Sequence, residues 1–245
     1  MVMQKSEITR FINKYHLGGE IKSAKWTSTG KSLSTRVITG DKSVVAQVIW
    51  GKSSGIEPSE LGVYNTPQFL ALLSIMGDDV DFKLSRMSDK FVSVDLKDNQ
   101  HGTISKYMLS DLSVIPTPPP LKNLPDGWDL DLKIDKYFMD TFIAGNGALS
   151  ETDTFTVIAQ NGKVDIVIGY SSVGTNRITI PVKVNTYKDI TLVSFHTGML
   201  ANILQANKEC KSVSMKVSEK GLIKLNFEVD DFESEYYLVA TQQVS

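Results

Sequence analysis

Leu61-Gly-Val-Tyr-Asn-Thr-Pro-Gln-Phe-Leu-Ala-Leu-Leu-Ser-Ile-Met76 occurs twice in this chain, the second time in altered form. Moved on by 131 residues it falls on Thr191-Leu-Val-Ser-Phe-His-Thr-Gly-Met-Leu-Ala-Asn-Ile-Leu-Gln-Ala-Asn207. Tyr64 meets Phe195, Thr66 meets Thr197, Phe69 meets Leu200, and Leu72-Leu73 meets Ile203-Leu204. Both copies read as a short strand, a threonine N-cap and an amphipathic helix. The same offset carries Ile8, Phe11 and Ile12 onto Met139, Phe142 and Ile143, and Phe82 and Leu84 onto Val213 and Met215. It also carries Phe91, Val92, Val94 and Leu96 onto Leu222, Ile223, Leu225 and Phe227, with one-residue slips in loops such as Gly30 against Gly162. A register of this length means a duplicated domain.

The bulk composition narrows the function classes. A chain of 245 residues holds one large or two ordinary domains. A formal net charge of −2 gives no sign of a general nucleic-acid or membrane binder. One cysteine, Cys210, excludes a disulfide framework and a cysteine zinc site, and fits a reducing compartment. Met1-Val-Met-Gln-Lys-Ser-Glu7 has no signal-peptide pattern, and no apolar run reaches membrane-spanning length. The expectation is a soluble protein of the cytoplasm.

Taken in order, residues 6–17 read as a helix, with Ile8, Phe11, Ile12 and Tyr15 on one face and Arg10, Asn13 and Lys14 on the other. Gly18-Gly19 stops it. Strands are expected at Ile21–Thr27, Leu33–Ile38 and Val44–Trp50, then a polar loop over Lys52–Pro58. Leu61–Tyr64 leads into the Thr66 helix, which Gly77-Asp78-Asp79 ends. Val80–Ser85, Phe91–Leu96 and Thr103–Val114 complete the first half as antiparallel strands. Four of the five residues 116–120 are proline, so 116–127 reads as an extended linker between domains at 1–115 and 128–245. In the second half a helix is expected from Ile134 to Ala144, stopped at Gly145-Asn146-Gly147. Strands follow at 153–160, 163–170 and 175–184, with Asn161-Gly162 as a hairpin turn, then Ile190–Phe195, the Thr197 helix and three strands ending at Tyr236–Ala240. The fold class is α+β, two tandem domains of one topology, each with antiparallel strands and two helices.

No enzyme signature survives inspection. Gly30-Lys31-Ser32 and Gly51-Lys52-Ser53 lack the earlier glycine of a phosphate-binding loop; Lys25 and Ala46 stand there. His16, His101 and His196 have no metal-ligand spacing, and Cys210 reads as a small core residue. Asp78, Asp79 and Asp81, like Asp129 and Asp131, read as solvated ends of elements. No catalytic residue, metal or cofactor is expected.

The stretch from Leu61 to Asp79, the duplication, the proline-bearing linker and the closing Tyr236-Tyr-Leu-Val-Ala240 resemble a DNA sliding clamp. Within that family the pattern is most similar to the clamp of T-even-type bacteriophages, and the plan is shared with proliferating cell nuclear antigen. The resemblance spans essentially the whole chain and rests on the long register rather than on a short motif. It implies a non-enzymatic ring that encircles duplex DNA, tethers a replicative DNA polymerase and is opened by an ATP-driven clamp loader. It further implies a role in phage late transcription through a polymerase-associated factor. Packing distances agree with a homotrimer. Helices about 10 Å apart, four per chain, give a circumference of about 80 Å for two chains, too small for a duplex, and about 120 Å for three. Head-to-tail contacts would close such a ring.

The resemblance assigns sites by position. Lys5, Arg10, Lys14, Lys133, Lys208 and Lys211 are the candidates to face DNA phosphates. For Arg10 and Lys14 an ordinary solvated helix face is the competing reading. Ala71, Ser74, Asn202 and Gln205 leave the other helix faces without basic residues, a thinner lining than the family usually has. The partner-peptide pocket would use Val44, Val45, Val114, Ile115, Pro116, Tyr237, Leu238, Val239 and Ala240. Subunit contacts would pair Thr103, Ser105, Tyr107 and Leu109 on one edge strand with Arg177, Thr179 and Pro181 on the neighbour's, an edge being where a strand proline fits. Two other classes predict no ring: a monomeric, charge-held processivity subunit, and a phage structural β-protein.

Overall fold

The computed structural model describes residues 2–52, 56–120, 124–171 and 173–241. Among them the element order is β1 (Val2–Gln4), α1 (Lys5–His16), β2 (Ala24–Ser28), β3 (Leu33–Ile38), β4 (Val44–Trp50), β5 (Ser59–Val63), α2 (Thr66–Ser74), β6 (Asp79–Met87), β7 (Lys90–Asp98) and β8 (Ile104–Met108). The same order then recurs: β9 (Leu130–Asp135), α3 (Lys136–Ala148), β10 (Thr154–Gln160), β11 (Lys163–Ile168), β12 (Ile178–Thr186), β13 (Ile190–His196), α4 (Thr197–Ala206), β14 (Ser212–Ser218), β15 (Leu222–Val229) and β16 (Phe232–Val239). Each half is β-α-ββββ-α-βββ. Helix starts Lys5 and Lys136, and Thr66 and Thr197, differ by the 131 residues seen in the sequence.

Two compact units form. One comprises Met1–Gly40, Ala46–Pro118 and Asp230–Ser234; the other comprises Asp41–Val45, Pro119–Val229 and Glu235–Ser245. In the first unit β1-β6-β7-β8 is an antiparallel sheet, and β4-β3-β2-β5 lie side by side in that order. In the second, the order is β13-β10-β11-β12-β9-β14-β15-β16. The helices pack in pairs, α1 against α2 and α3 against α4. Buried rows on alternate strand residues, such as Leu130, Leu132 and Ile134, supply the apolar faces of the cores.

The two cores are built from different side chains on the same plan. In the first, Phe11, Tyr15, Trp26 and Phe69 meet edge to face, and Trp26 Nε1 donates to Tyr15 Oη at 3.2 Å. The Tyr15 hydroxyl lies 3.3 Å from Thr66 Oγ1, and burial pushes its pKa well up. In the second, Phe138, Phe142, Phe155 and Phe195 form the chain of rings, while Asn207 Nδ2 donates to the Ile203 carbonyl and to Tyr236 Oη.

Several sequence expectations need correction. Thr66 and Thr197 are not N-caps. Asn65 caps α2 through Oδ1, which accepts from Gln68 N at 3.1 Å, and both threonines are buried. Leu130–Asp135 is a strand, so α3 starts at Lys136, capped by Asp135 Oδ1 on Phe138 N. Nor does Gly145-Asn146-Gly147 stop α3, which continues to Ala148. A Cβ at Gly145 would press on the Ile168 and Ile178 side chains at 3.0 and 3.2 Å, so this glycine serves close helix–strand packing. The expected strand Thr103–Val114 ends at Met108, and Leu112–Val114 form a single 3₁₀ turn capped by Asp111. The strand expected from Ile21 starts at Ala24. At the other turns the reading holds: Leu17 and Gly18 take positive φ after α1, and Asn161 and Gly162 do so in the β10–β11 hairpin. Ser53–Gly55 of the polar loop and Leu121–Asn123 of the linker lie outside the described residues.

Candidate functional site

The paired helices were expected to carry the basic surface, and the structure redistributes those side chains. Lys14 is only 1 % exposed, its ammonium 5.7 Å from the centre of the Phe232 ring, so its placement on a solvent face is corrected. Arg10 lies over the same ring at 4.7 Å and pairs with Asp230 at 2.9 Å. The periodicity missed this because β16, distant in sequence, supplies Phe232 to cover that flank of α1. Lys5 Nζ donates to the Met76 carbonyl at 2.6 Å, tying the start of α1 to the end of α2. Lys133 belongs to β9, exposed on the face opposite buried Leu132 and Ile134. Lys208 and Lys211, just beyond α4, are exposed. Sequence reasoning overlooked Lys136 and Tyr137, exposed in the first turn of α3 once the helix starts correctly; Lys136 pairs with Asp140 one turn on.

The residues expected to hold a partner peptide divide by burial. Val44, Val45, Tyr237 and Leu238 are core residues of the second unit, and Ile115 is buried in the first. Val114 and Pro116 are exposed in the first unit. Val239 is exposed and lines an open hollow of about 480 Å³ in the second unit, with Leu124–Asp126 and Lys220–Leu222. Ala240, half-buried, donates its backbone N–H to the Gly221 carbonyl at 2.9 Å. A related hollow of about 410 Å³ opens in the first unit beside the β6–β7 turn, lined by Asp89–Val92, Leu109–Leu112, Glu60 and Gly62.

Two strand edges among the described residues lie where subunit contacts were expected. β8 ends its sheet, paired on one side with β7. Asp98 N bonds the Thr103 carbonyl and Leu109 N bonds the Val92 carbonyl, so odd-numbered residues of this segment exchange their backbone bonds with β7. Ile104, Lys106 and Met108 therefore direct N–H and C=O outward, and Ile104 and Met108 expose 70 % and 61 % of their surface. This inverts the expected parity. Tyr107 is buried and its hydroxyl accepts from Asn65 N at 2.9 Å, while Thr103, Ser105 and Leu109 are half-buried. In the second unit Ile178–Val182 of β12 pairs with β11, whereas the pairing with β9 begins only at Lys183. Arg177, Thr179 and Pro181 are exposed there.

The residues considered for other chemistry have local partners. His16 Nδ1 lies 2.6 Å from the Ile21 carbonyl, and His101 Nδ1 lies 2.9 Å from Asp98 Oδ2. Buried Cys210 contacts the Ser212 carbonyl. Gly30-Lys31-Ser32 forms the β2–β3 turn, and Lys52 pairs with Asp231. Among the described residues no group of three or more His, Cys, Asp or Glu side chains could hold a metal, and no helix is long and apolar enough to cross a membrane.

No protein-family model and no curated protein sequence matches the chain. Among solved structures it is similar to the proliferating cellular nuclear antigen from Entamoeba histolytica. The TM-score is 0.74 at 11 % identity, over 97 % of this chain and 96 % of that one. The chain thus has the fold of that antigen: tandem α+β domains built from antiparallel sheets, with four helices among the described residues.

Proposed function

We propose that this chain is a DNA polymerase sliding clamp: a non-enzymatic processivity factor that closes as a homotrimer around duplex DNA and tethers the replicative polymerase. The observation that carries this reading is the pair of open strand edges, β8 in one unit and Ile178–Val182 in the other, on a chain that shares the clamp fold from end to end. Unlike edges complement one another head to tail, and such contacts give a ring where the rotation between successive copies closes. An open edge with exposed Ile104 and Met108 is a liability in a monomer and is satisfied by strand pairing in a ring.

Each unit presents its helix pair to the duplex, with Lys208 and Lys211 as exposed cations just beyond α4. Few contacts of this kind hold DNA without reading its sequence, and salt screens them, so enclosure provides the retention. An apolar polymerase or loader tail docks in the hollow at Val239, Leu222 and the linker residues Leu124 and Pro125. No cofactor is needed; an ATP-driven loader supplies the opening work. Following the register of Leu61–Asp79, we place the clamp with those of T-even-type phages, acting in the host cytoplasm in replication and late transcription.

The test is chemical crosslinking between the proposed edges. With Ile104→Cys and Thr179→Cys in one chain, a short bis-maleimide should give a ladder that stops at three chains. Crosslinked protein loaded on a DNA circle should stay bound until the circle is cut. A ladder that runs past three chains, or no crosslinked product, contradicts the ring.

A further inference from the structure

We propose that the hollow beside the β6–β7 turn of the first unit is a second docking site, specific for a basic, extended segment carrying apolar anchor residues. Its position is the internal repeat of the hollow at Val239. Asp89, Lys90 and Phe91 occupy the places of Lys220, Gly221 and Leu222 under the 131-residue offset, and both triplets line their hollows. Duplication placed a depression at this point in both units, and the side chains then diverged.

The backbone explains why the first hollow is open. β7 carries a bulge where its register with β6 shifts between Ser85 and Arg86, and its pairing with β8 ends at Ser93 opposite Met108. Past Leu109 the chain leaves β7, and Ser110 N bonds the Gly62 carbonyl at 2.9 Å. In the second unit, by contrast, Ala240 reaches back to Gly221. The first two residues of β7 are thus left without a neighbouring strand on that side. Half-exposed Phe91, Val92, Leu109 and Leu112 form an apolar floor between two strand edges, a setting that suits an extended peptide.

Charge selects the occupant. The lining of the first hollow holds three carboxylates, Glu60, Asp89 and Asp111, against one ammonium, Lys90; at its border Arg86 stacks 4.2 Å over Phe91 and pairs with Glu57, so the balance stays negative. In the second hollow Asp126 and Lys220 balance to zero. Lys90 spans 3.0 Å to Asp111, and Lys25 meets Glu60 at 2.5 Å, both surface pairs that an incoming cation can exchange with. Asp89 sits at the exposed turn. A lysine- or arginine-bearing segment is attracted by this rim, and an acidic one is repelled. The two hollows then recruit different partners to one chain without competition.

The experiment uses the full chain and a fluorescein-labelled octapeptide, Lys-Leu-Lys-Phe-Lys-Val-Lys-Gly, beside its counterpart with glutamate for each lysine. Binding is followed by anisotropy at low salt for the unmodified chain and for Asp89→Lys, Leu112→Asp and Leu222→Asp, each checked for an unchanged melting profile. The basic peptide should bind and the acidic one should not. Asp89→Lys and Leu112→Asp should each weaken binding by about tenfold or more, and Leu222→Asp should leave it unchanged. Leu112→Asp separates docking from general attraction, because an added carboxylate would strengthen the latter. Absence of binding, indifference to both first-unit variants, or loss through Leu222→Asp alone would overturn the proposal.

Discussion

Asp98 joins three pieces of the first unit at one carboxylate. It accepts from Gly77 N at 2.9 Å after α2, and from Gln100 N and His101 N in the β7–β8 turn, with His101 Nδ1 alongside. The Gly77 bond above all holds its pKa far below the ordinary carboxylate value. A depressed folded pKa means the contribution is complete above about pH 4 and is lost as pH falls below that. Asp98→Asn should lower the melting temperature at neutral pH by about 5 °C and flatten the acid limb of the stability profile; thermal scans from pH 7 to pH 2 check both. Gly62 is a steric case, since a Cβ there would overlap the Ser110 carbonyl oxygen. Gly62→Ala should therefore cost about 2 kcal/mol in denaturant unfolding. For the basic residues, Lys208→Glu with Lys211→Glu should weaken duplex binding by about tenfold at low salt, with the difference shrinking at high salt. Lys133→Glu, on the opposite face of the β9 sheet, should leave it nearly unchanged. Single-residue roles were the least legible part of the sequence. Lys14 read as solvated because helical periodicity places a side chain on a face, and only the fold shows that Phe232 covers that face.

The elements were legible wherever one period dominated. Leu33–Ile38 alternates buried and half-buried residues, Val44–Trp50 is a nearly continuous apolar run, and both match the observed strands residue for residue. Failures came where a local signal had two meanings. The helix expected from Ile134 takes in the last two residues of the strand Leu130–Asp135, and Gly145–Gly147 reads as a stop because glycine serves both termination and close packing. β8 shows why parity matters. Its exposed row is Ile104, Lys106 and Met108, and the sequence alone does not say which alternate row faces out. Met108→Asp should therefore shift the assembly toward single chains while leaving the circular dichroism spectrum unchanged, whereas Tyr107→Ala should unfold the first unit. Sedimentation velocity and thermal melts distinguish the two outcomes.

Duplication was the most legible feature of the whole molecule, because one offset aligns helices, strands and turns that share no catalytic motif. It reappears in the structure down to the crosslinks after each final strand: Ser110 bonds Gly62 in the first unit, and Thr241 bonds Ser194 in the second. Charge makes the same point at larger scale. With a net charge of −2 and exposed lysines scattered over both units, the proposed clamp would hold DNA by enclosure rather than by attraction. Enclosure requires a closed assembly, which makes solution mass decisive. Light scattering across a concentration series at moderate salt should find a species at three times the 27.1-kDa chain, dissociating on dilution to single chains. A single-chain mass at every concentration would contradict topological enclosure.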